Sequence, residues 1–460
     1  MRAWLNSAVW PNARQLGYYL LTGLIVVIPA LMNNSPLVYS DSGTYMRLAF
    51  DLEPALDRPI GYSLILRALT WRATMWTPIF FQGAVTSWLI FEVLRQLFPG
   101  RMRLWRVHLV LLVALLLLSS LPWYAAQLMP DVIAGLLGLV VFLLFFGRAL
   151  GRVKLVFLWV LLFFFIISHY SFMAMMMGLA TTLLLARATP WGRHSMGRSF
   201  WKTWTGFAAI IAAGFLFLLG LNDRYGRGFV MSPTSDLFLA AKMCESGVMY
   251  EHLKRTCADH HRPLCDRMDE LNTTAMHFVW DFDAPIRDRL DLDVASAKVA
   301  PLVHEVLTDP RNWGMLIWTS INATLIQLAQ VTIGSGIEPY RENTSPGLVY
   351  QWQLRHELPM YMNSLEQRGA WKLDTVNILA GPILVLSLLI TVLLWPMRMP
   401  RWKAFSLIVV ATVILNAAAT GALANVYDRL QARVTWMLVF LALLLLLRLR
   451  KQKWLLGLTN

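Results

Sequence analysis

Asp131-Val132-Ile133-Ala134-Gly135-Leu136-Leu137-Gly138-Leu139-Val140-Val141-Phe142-Leu143-Leu144-Phe145-Phe146-Gly147-Arg148 has an acid at one end, an arginine at the other and no polar side chain between. Such a run suits the hydrocarbon interior of a bilayer, because a helix satisfies every backbone N–H and C=O within itself. Nine further runs of this kind occur near 16–33, 76–97, 107–128, 155–170, 172–186, 204–221, 376–395, 404–423 and 433–449, beside the one at 132–147. The expected fold class is an all-α polytopic membrane protein of about ten transmembrane helices with a mainly helical external domain. Composition agrees: the chain is 57% hydrophobic and 15% charged, whereas ordinary soluble chains carry about 25% charged residues. Three cysteines are too few for a disulfide scaffold.

A formal net charge of +14 invites a nucleic-acid reading, and its distribution removes it. Residues 221–375 hold 20 of the 27 acidic residues and 15 of the 41 basic ones, so the positive excess belongs to the apolar part. There it follows the bias that retains Lys and Arg on the cytoplasmic side. Arg2, Arg14, the cluster Arg95 to Arg106, Arg148 to Lys154, Arg187 to Lys202, Arg398 to Lys403 and Arg448 to Lys453 fall at one set of ends. The opposite short loops carry only Arg47, Arg58, Arg67, Arg72, Arg429 and Arg433. Both termini are therefore expected in the cytoplasm and the acidic segment outside, in the periplasm for a bacterial inner membrane. The first run lacks a small-residue cleavage site and reads as an uncleaved anchor. No stretch interleaves basic and aromatic residues as a nucleic-acid platform does. Nor is there a Walker, dinucleotide, metalloprotease or nucleophile-elbow motif. Membrane lipid is the partner this charge implies, and nucleic acid is not.

Three parts follow: a membrane module at 1–221 with seven spans and a first external loop at 34–75, an external domain at 222–375, and a three-span module at 376–460. Cys244, Cys257 and Cys265 all fall in the external segment, where disulfides persist. Cys257 and Cys265 enclose a short loop and are expected to pair, leaving Cys244 as the odd thiol. Two amphipathic helices are expected at Ser296 to Leu307 and Trp313 to Val331, the second suited to lying on a membrane surface.

The stretch that carries chemistry is Tyr39-Ser40-Asp41-Ser42-Gly43-Thr44-Tyr45-Met46, just outside the first span, followed by Asp57-Arg58-Pro59-Ile60-Gly61-Tyr62-Ser63. A carboxylate among hydroxyls at a membrane mouth faces water close to the headgroups, where a lipid-linked substrate presents its reactive bond. Asp41 or Ser42 would equally serve as the N-cap of a following helix. A second carboxylate, Asp131, sits on the same face in Gln127-Leu128-Met129-Pro130-Asp131, and a cap explains it as readily. Arg58, Arg429 and Arg433 stand on the side where basic residues are scarce, and Arg429 and Arg433 are four apart on one helix face. Arginines there would hold a lipid phosphate, or instead pair with Asp428 and snorkel to headgroups. His169, in a short external turn, is a further candidate for phosphate contact.

One acidic residue after the first span, the segment Arg58-Pro59-Ile60-Gly61-Tyr62, and another acidic residue after the third span resemble the C-type glycosyltransferase superfamily. In order and topology the chain is similar to its polyprenyl-phosphate-sugar-dependent members, the protein mannosyltransferase and aminoarabinose transferase relatives. The resemblance covers mainly the first seven spans. It departs from them where Asp41 is followed by Ser-Gly-Thr-Tyr rather than Glu-Tyr-Tyr, and where Asp131 lacks an acidic neighbour. It implies a glycosyltransferase that moves a sugar, with inversion, from a polyprenyl-phosphate donor to an extracytoplasmic glycan, lipid or protein acceptor. Asp41 would be the general base; Asp131 would orient the acceptor or hold a divalent ion, magnesium or manganese. Arg58, Tyr62, His169, Arg429 and Arg433 would bind the lipid phosphate. Two other classes fit the same composition: a lipid or small-solute transporter, and a noncatalytic membrane assembly protein.

Overall fold

The computed structural model describes residues 13–100, 103–197, 199–397 and 399–455, with the side chains of 450–455 outside the description. Arg2, Arg101, Arg198 and Arg398, counted among the basic ends, lie outside it, as do the side chains of Arg450, Lys451 and Lys453. Among the described residues the structure is helical and has no sheet; one parallel bridge joins Leu37 to Gln127.

The first apolar run forms two helices, α1 (Ala13–Val26) and α2 (Ile28–Asn33), which part at Val27 because Pro29 lacks the N–H that would continue the ladder. Two short amphipathic helices follow, α3 (Ser42–Asp51) and α4 (Gly61–Thr70), then the long α5 (Trp76–Leu97). The 107–128 run also divides, into α6 (Leu104–Leu118) and α7 (Leu121–Ala125), where Ser119 is extended and Pro122 opens the next turn. A 3-10 turn, Pro130–Val132, leads into α8 (Ile133–Phe146), and α9 (Arg152–Ile166), α10 (Tyr170–Ala188), α11 (Pro190–Ser195) and α12 (Phe200–Arg224) complete the N-terminal module. The polar segment contributes α13 (Ser235–Glu245), α14 (Val248–Thr256), α15 (Ala275–Trp280), α16 (Leu292–Thr308), α17 (Pro310–Ala329), α18 (Ser345–Gln353) and α19 (Leu358–Met362). The chain returns through α20 (Asp374–Leu393), α21 (Pro400–Leu423) and α22 (Asp428–Leu455).

Six of these helices are long and apolar enough to cross a membrane: α5, α10, α12, α20, α21 and α22. The chain is thus built as an integral membrane protein. The outward faces match that solvent: Leu386, Leu389, Val392 and Leu393 of α20 are exposed and would contact acyl chains. Inside, α1 and α5 cross at two glycines. A Cβ on Gly23 would stand 2.6 Å from the Ala84 amide nitrogen, and one on Gly83 would stand 2.6 Å from the Gly23 carbonyl oxygen. Close backbone approach of this kind maximises dispersion contact where no hydrophobic force separates helix from lipid.

Residues 222–375 do not pack as one unit. Helices α13 to α16 enclose their own small core, centred on Leu237, Met249, Phe278 and Val303, and the Cys257–Cys265 bond, 2.01 Å between sulfurs, closes its edge. Cys244 is free and buried within that core. Helices α18 and α19 belong instead with the core of the bundle. Glu357 accepts from the Thr74 hydroxyl at 2.5 Å and the Met75 amide at 3.2 Å. Glu366 accepts from the Val38 amide at 3.3 and 3.2 Å, and burial pushes its carboxyl well above the usual range against that bond. These two acids clamp the 354–371 stretch onto the first loop, close to the site. Helix α17 packs Ala323 and Gln327 beside Gly421 of α21 and leaves Trp313, Ile317, Trp318, Ile321 and Leu325 exposed.

Candidate functional site

Two short backbone ties set the site. The Leu37 amide donates to the Ala126 carbonyl at 3.0 Å and the Leu128 amide to the Leu37 carbonyl at 2.9 Å, which brings the loop before Asp41 against the connection before Asp131. The Gly61 amide donates to the Ile167 carbonyl at 3.1 Å, and a Cβ at Gly61 would lie 2.4 Å from that oxygen. The glycine is therefore required for Arg58 and the turn bearing His169 to come together.

Asp41 stands at the N-cap position of α3, yet its side chain makes no cap hydrogen bond. Its two oxygens go to two different guanidiniums. Arg58 Nη2 donates to Oδ1 at 2.8 Å and Arg429 Nη2 donates to Oδ2 at 3.2 Å. Asp131 is likewise no cap: Arg433 Nη1 donates to its Oδ1 at 2.9 Å, and Arg429 Nε stands 3.9 Å from its Oδ2. The result is an alternating row, Arg58, Asp41, Arg429, Asp131, Arg433, drawn from four separate parts of the chain. Asp57 extends it, 3.2 Å from Arg58. Arg433 is fully buried and is further held by Asn416 Oδ1 at 2.9 and 3.1 Å and by the Ser171 hydroxyl at 2.9 Å. The Arg429 guanidinium lies 3.7 Å above the Tyr39 ring. Neither arginine snorkels, and Asp428 is spent on the Thr332 amide at 2.8 Å.

Electrostatics follow from this packing. Burial alone would raise the Asp41 carboxyl, but the Arg58 and Arg429 guanidiniums outweigh it and hold the group at about 2. His169 is moved well below its ordinary value by burial first and by Arg433, Arg58 and Arg429 next, so its imidazole is neutral at physiological pH. Its Nδ1 accepts from the Ser171 amide at 3.2 Å, which leaves Nε2 as the protonated nitrogen and a neutral donor.

Asp57, Arg58, His169 and Ser171 supply polar walls to a cavity of about 420 Å³ between α10, α12, α21 and α13. Met173, Met177, Phe215, Phe238 and Leu423 are among its apolar walls. A wider depression of about 570 Å³ lies elsewhere, around Trp191 and Lys403, and none of these site residues borders it.

The structure thus brings Asp41, Asp131, Arg58, Arg429, Arg433 and His169 into one cluster. It does not bring Tyr62 to the cavity. That phenol is buried, donates to Gln82 Oε1 at 2.5 Å and packs edge-on to Tyr45 at 5.4 Å, so it orders the core behind the site. Cys257 and Cys265 lie apart, in the small domain. A divalent cation does not fit: both carboxylates are engaged by guanidiniums, and among the described residues no group of three metal-ligating side chains gathers. Asn416 and Ser171 were absent from the sequence-based set. Asn416 carried a signal, since it is the single amide in the apolar α21, and a polar group inside a span is there for a partner.

Fold and cluster together define an integral membrane protein with a guanidinium-rich cluster beside a cavity between its helices. Compared with known proteins, the chain matches no family model, no curated protein and no solved structure.

Proposed function

We propose that this chain is a membrane glycosyltransferase of the C-type architecture, which transfers a sugar from a polyprenyl-phosphate carrier to an acceptor on the non-cytoplasmic side. The single observation that carries this reading is the juxtaposition of a buried guanidinium and carboxylate row with an apolar cavity flanked by long membrane helices. An isoprenoid phosphate has these two halves, an apolar chain and an anionic head. The chain would lie against Met173, Met177 and Phe215, and the head would meet Arg58, the neutral N–H of His169 and the Ser171 hydroxyl.

In this reading the acceptor hydroxyl oxygen attacks the anomeric carbon, the carbon–oxygen bond to the carrier phosphate breaks, and the hydroxyl proton passes to Asp41 and then to water. Attack from the face opposite the phosphate inverts the anomeric centre. The growing charge on the phosphate is stabilised by preorganised guanidiniums that exist before the reaction begins. Asp131 acts through Arg429 and Arg433 by fixing where they point. All ten apolar runs then cross the bilayer, the four shorter ones as tilted or broken helices, with both termini in the cytoplasm.

Mass spectrometry of lipid-linked sugars and surface glycans tests this in cells lacking the protein, complemented with the native chain or with Asp41→Asn. A polyprenyl-linked sugar should accumulate and one glycan residue should vanish, with only the native chain restoring it. Restoration by both chains removes Asp41 from the chemistry, and an unchanged glycan profile favours a transporter of lipid.

A further inference from the structure

As it stands, Asp41 is a poor base, because each of its oxygens already accepts a charged N–H, which lowers its pull on the proton of an acceptor hydroxyl. The two guanidiniums differ in what else they touch. Arg58 also walls the cavity and pairs with Asp57. Arg429 has a buried Nη1 without a hydrogen-bond partner, and its Nε faces an Asp131 oxygen that likewise lacks one, at 3.9 Å. Each arginine therefore has somewhere else to go when its bond to Asp41 is given up.

We infer that Arg58 and Arg429 mask Asp41 in the empty protein, and that a phosphate entering the cavity takes over these guanidiniums and releases the carboxylate. This rests on the reading of the site as a lipid-phosphate transferase. The exchange follows from charge and shape. A phosphate offers more negative charge than a carboxylate and matches the planar fork of a guanidinium with two oxygens. The row of Arg58, Arg429 and Arg433 against Asp57, Asp41 and Asp131 is already balanced, so an added anion overfills it with negative charge. The carboxylate that loses its partners in that crowd is the group most inclined to take a proton, and Asp41 is the one that bridges two of the three arginines. Base strength would then appear only when donor is present, which protects the site from idle proton uptake.

The sign of one substitution tests this. Titration calorimetry on the full-length detergent-solubilised chain, with farnesyl phosphate and inorganic phosphate as probes, should show Asp41→Asn binding farnesyl phosphate about tenfold tighter than native, since the competitor is gone. Arg58→Gln should bind about tenfold more weakly, and adding Asp41→Asn to it should recover little. Asp41→Ser, checked with Asp41→Asn for monodispersity, guards against a folding artefact of either change. Equal or weaker binding by both Asp41 variants, with Arg58→Gln still weak, overturns the masking and leaves the phosphate site standing. No binding of farnesyl phosphate by any form overturns masking and the polyprenyl-phosphate reading together. Inorganic phosphate matching farnesyl phosphate in affinity, with the same gain in Asp41→Asn, supports the exchange and makes a soluble anion its trigger.

Discussion

Two acids held by cations invite comparison, the buried Glu92 and the partly exposed Asp41, one at each end of the bundle. Glu92 in α5 is bracketed by Lys154 Nζ at 2.7 Å and Arg95 Nη2 at 2.7 Å, and Arg95 is one helical turn away on the same helix. Asp41 is bracketed by Arg58 and Arg429, the latter 388 residues distant in sequence. Both acids thus stand within ion-pair distance of two cations. In the Glu92 cluster Arg95 is placed by helix periodicity and Lys154 comes from α9, with Gln96 beside them binding the Arg148 backbone at 3.1 and 2.8 Å. The Asp41 cluster exists only when the first loop, the α9–α10 turn and α22 meet, and it borders a cavity. A closed pair of this sort is architecture, whereas an open alternating row can rearrange around a ligand.

The largest expected effect lies between the two functions, at Arg433. Arg433→Met leaves Asp131 buried without its nearest cation, a change that costs about 3–5 kcal/mol when a buried pair loses one partner. Thermal unfolding in detergent should show this, and adding Asp131→Asn should recover most of the loss, because the uncompensated charge disappears. A single variant as stable as native would show that the row does not hold the bundle together. Next comes the matched pair that separates the two ends. Under the proposed transferase reading, Asp41→Asn should lower transfer by about 10²–10⁴-fold, the usual worth of a general base, and should also cost up to about 2 kcal/mol of stability, because Arg58 and Arg429 favour its ionised form. Glu92→Gln should cost about 1–3 kcal/mol with turnover nearly intact, since it leaves the buried Lys154 without its carboxylate and none of the Asp41 row touches it. Equal loss of activity in both variants would erase the difference between the two ends.

A smaller effect belongs to the domain that shares neither cluster. Breaking the Cys257–Cys265 link by Cys257→Ser removes a short closed loop, worth at most about 2.5 kcal/mol of chain entropy. Proteolysis should speed within 257–290 while the membrane helices and phosphate binding stay unchanged. Loss of phosphate binding in that variant would tie the small domain to the site more tightly than its separate core suggests.

The same contrast explains what could be read from the sequence. Apolar runs are local, so each expected span falls on helix, and Arg429 and Arg433 are seen to share a face from their spacing alone. Helix breaks at Pro29 and at Ser119 to Pro122 have local causes too, but they do not interrupt the apolar runs that mark spans. The clamps at Glu357 and Glu366 were invisible, because they join the first loop to residues nearly three hundred or more positions later. For the same reason 222–375 looked like one domain, although its last helices pack on the bundle. Tyr62 was chosen from a motif, and the motif could not show that its hydroxyl is turned to Gln82. Ser171 offered no local signal at all, since hydroxyls near helix starts are common.

The smallest expected effect concerns His169, and its sign distinguishes a neutral donor from a cation. In the folded chain its imidazole is held well below the ordinary value of 6.5 by burial and by three arginines. The folded state therefore resists protonation that the unfolded chain accepts freely. Stability from this group is complete above 6.5 and declines as pH falls below it, with a slope under about 1.4 kcal/mol per pH unit. Asp41 adds nothing in that window, because its depressed carboxyl loses its contribution only between 3.8 and about 2. The stability of the native chain minus that of His169→Gln should thus shrink as pH falls from 7 to 5, since the slopes of every other group, Glu366 among them, cancel in that difference. If that difference does not change with pH, His169 takes its proton as readily folded as unfolded, and the lipid head would meet a fourth cation below that pH rather than a neutral N–H.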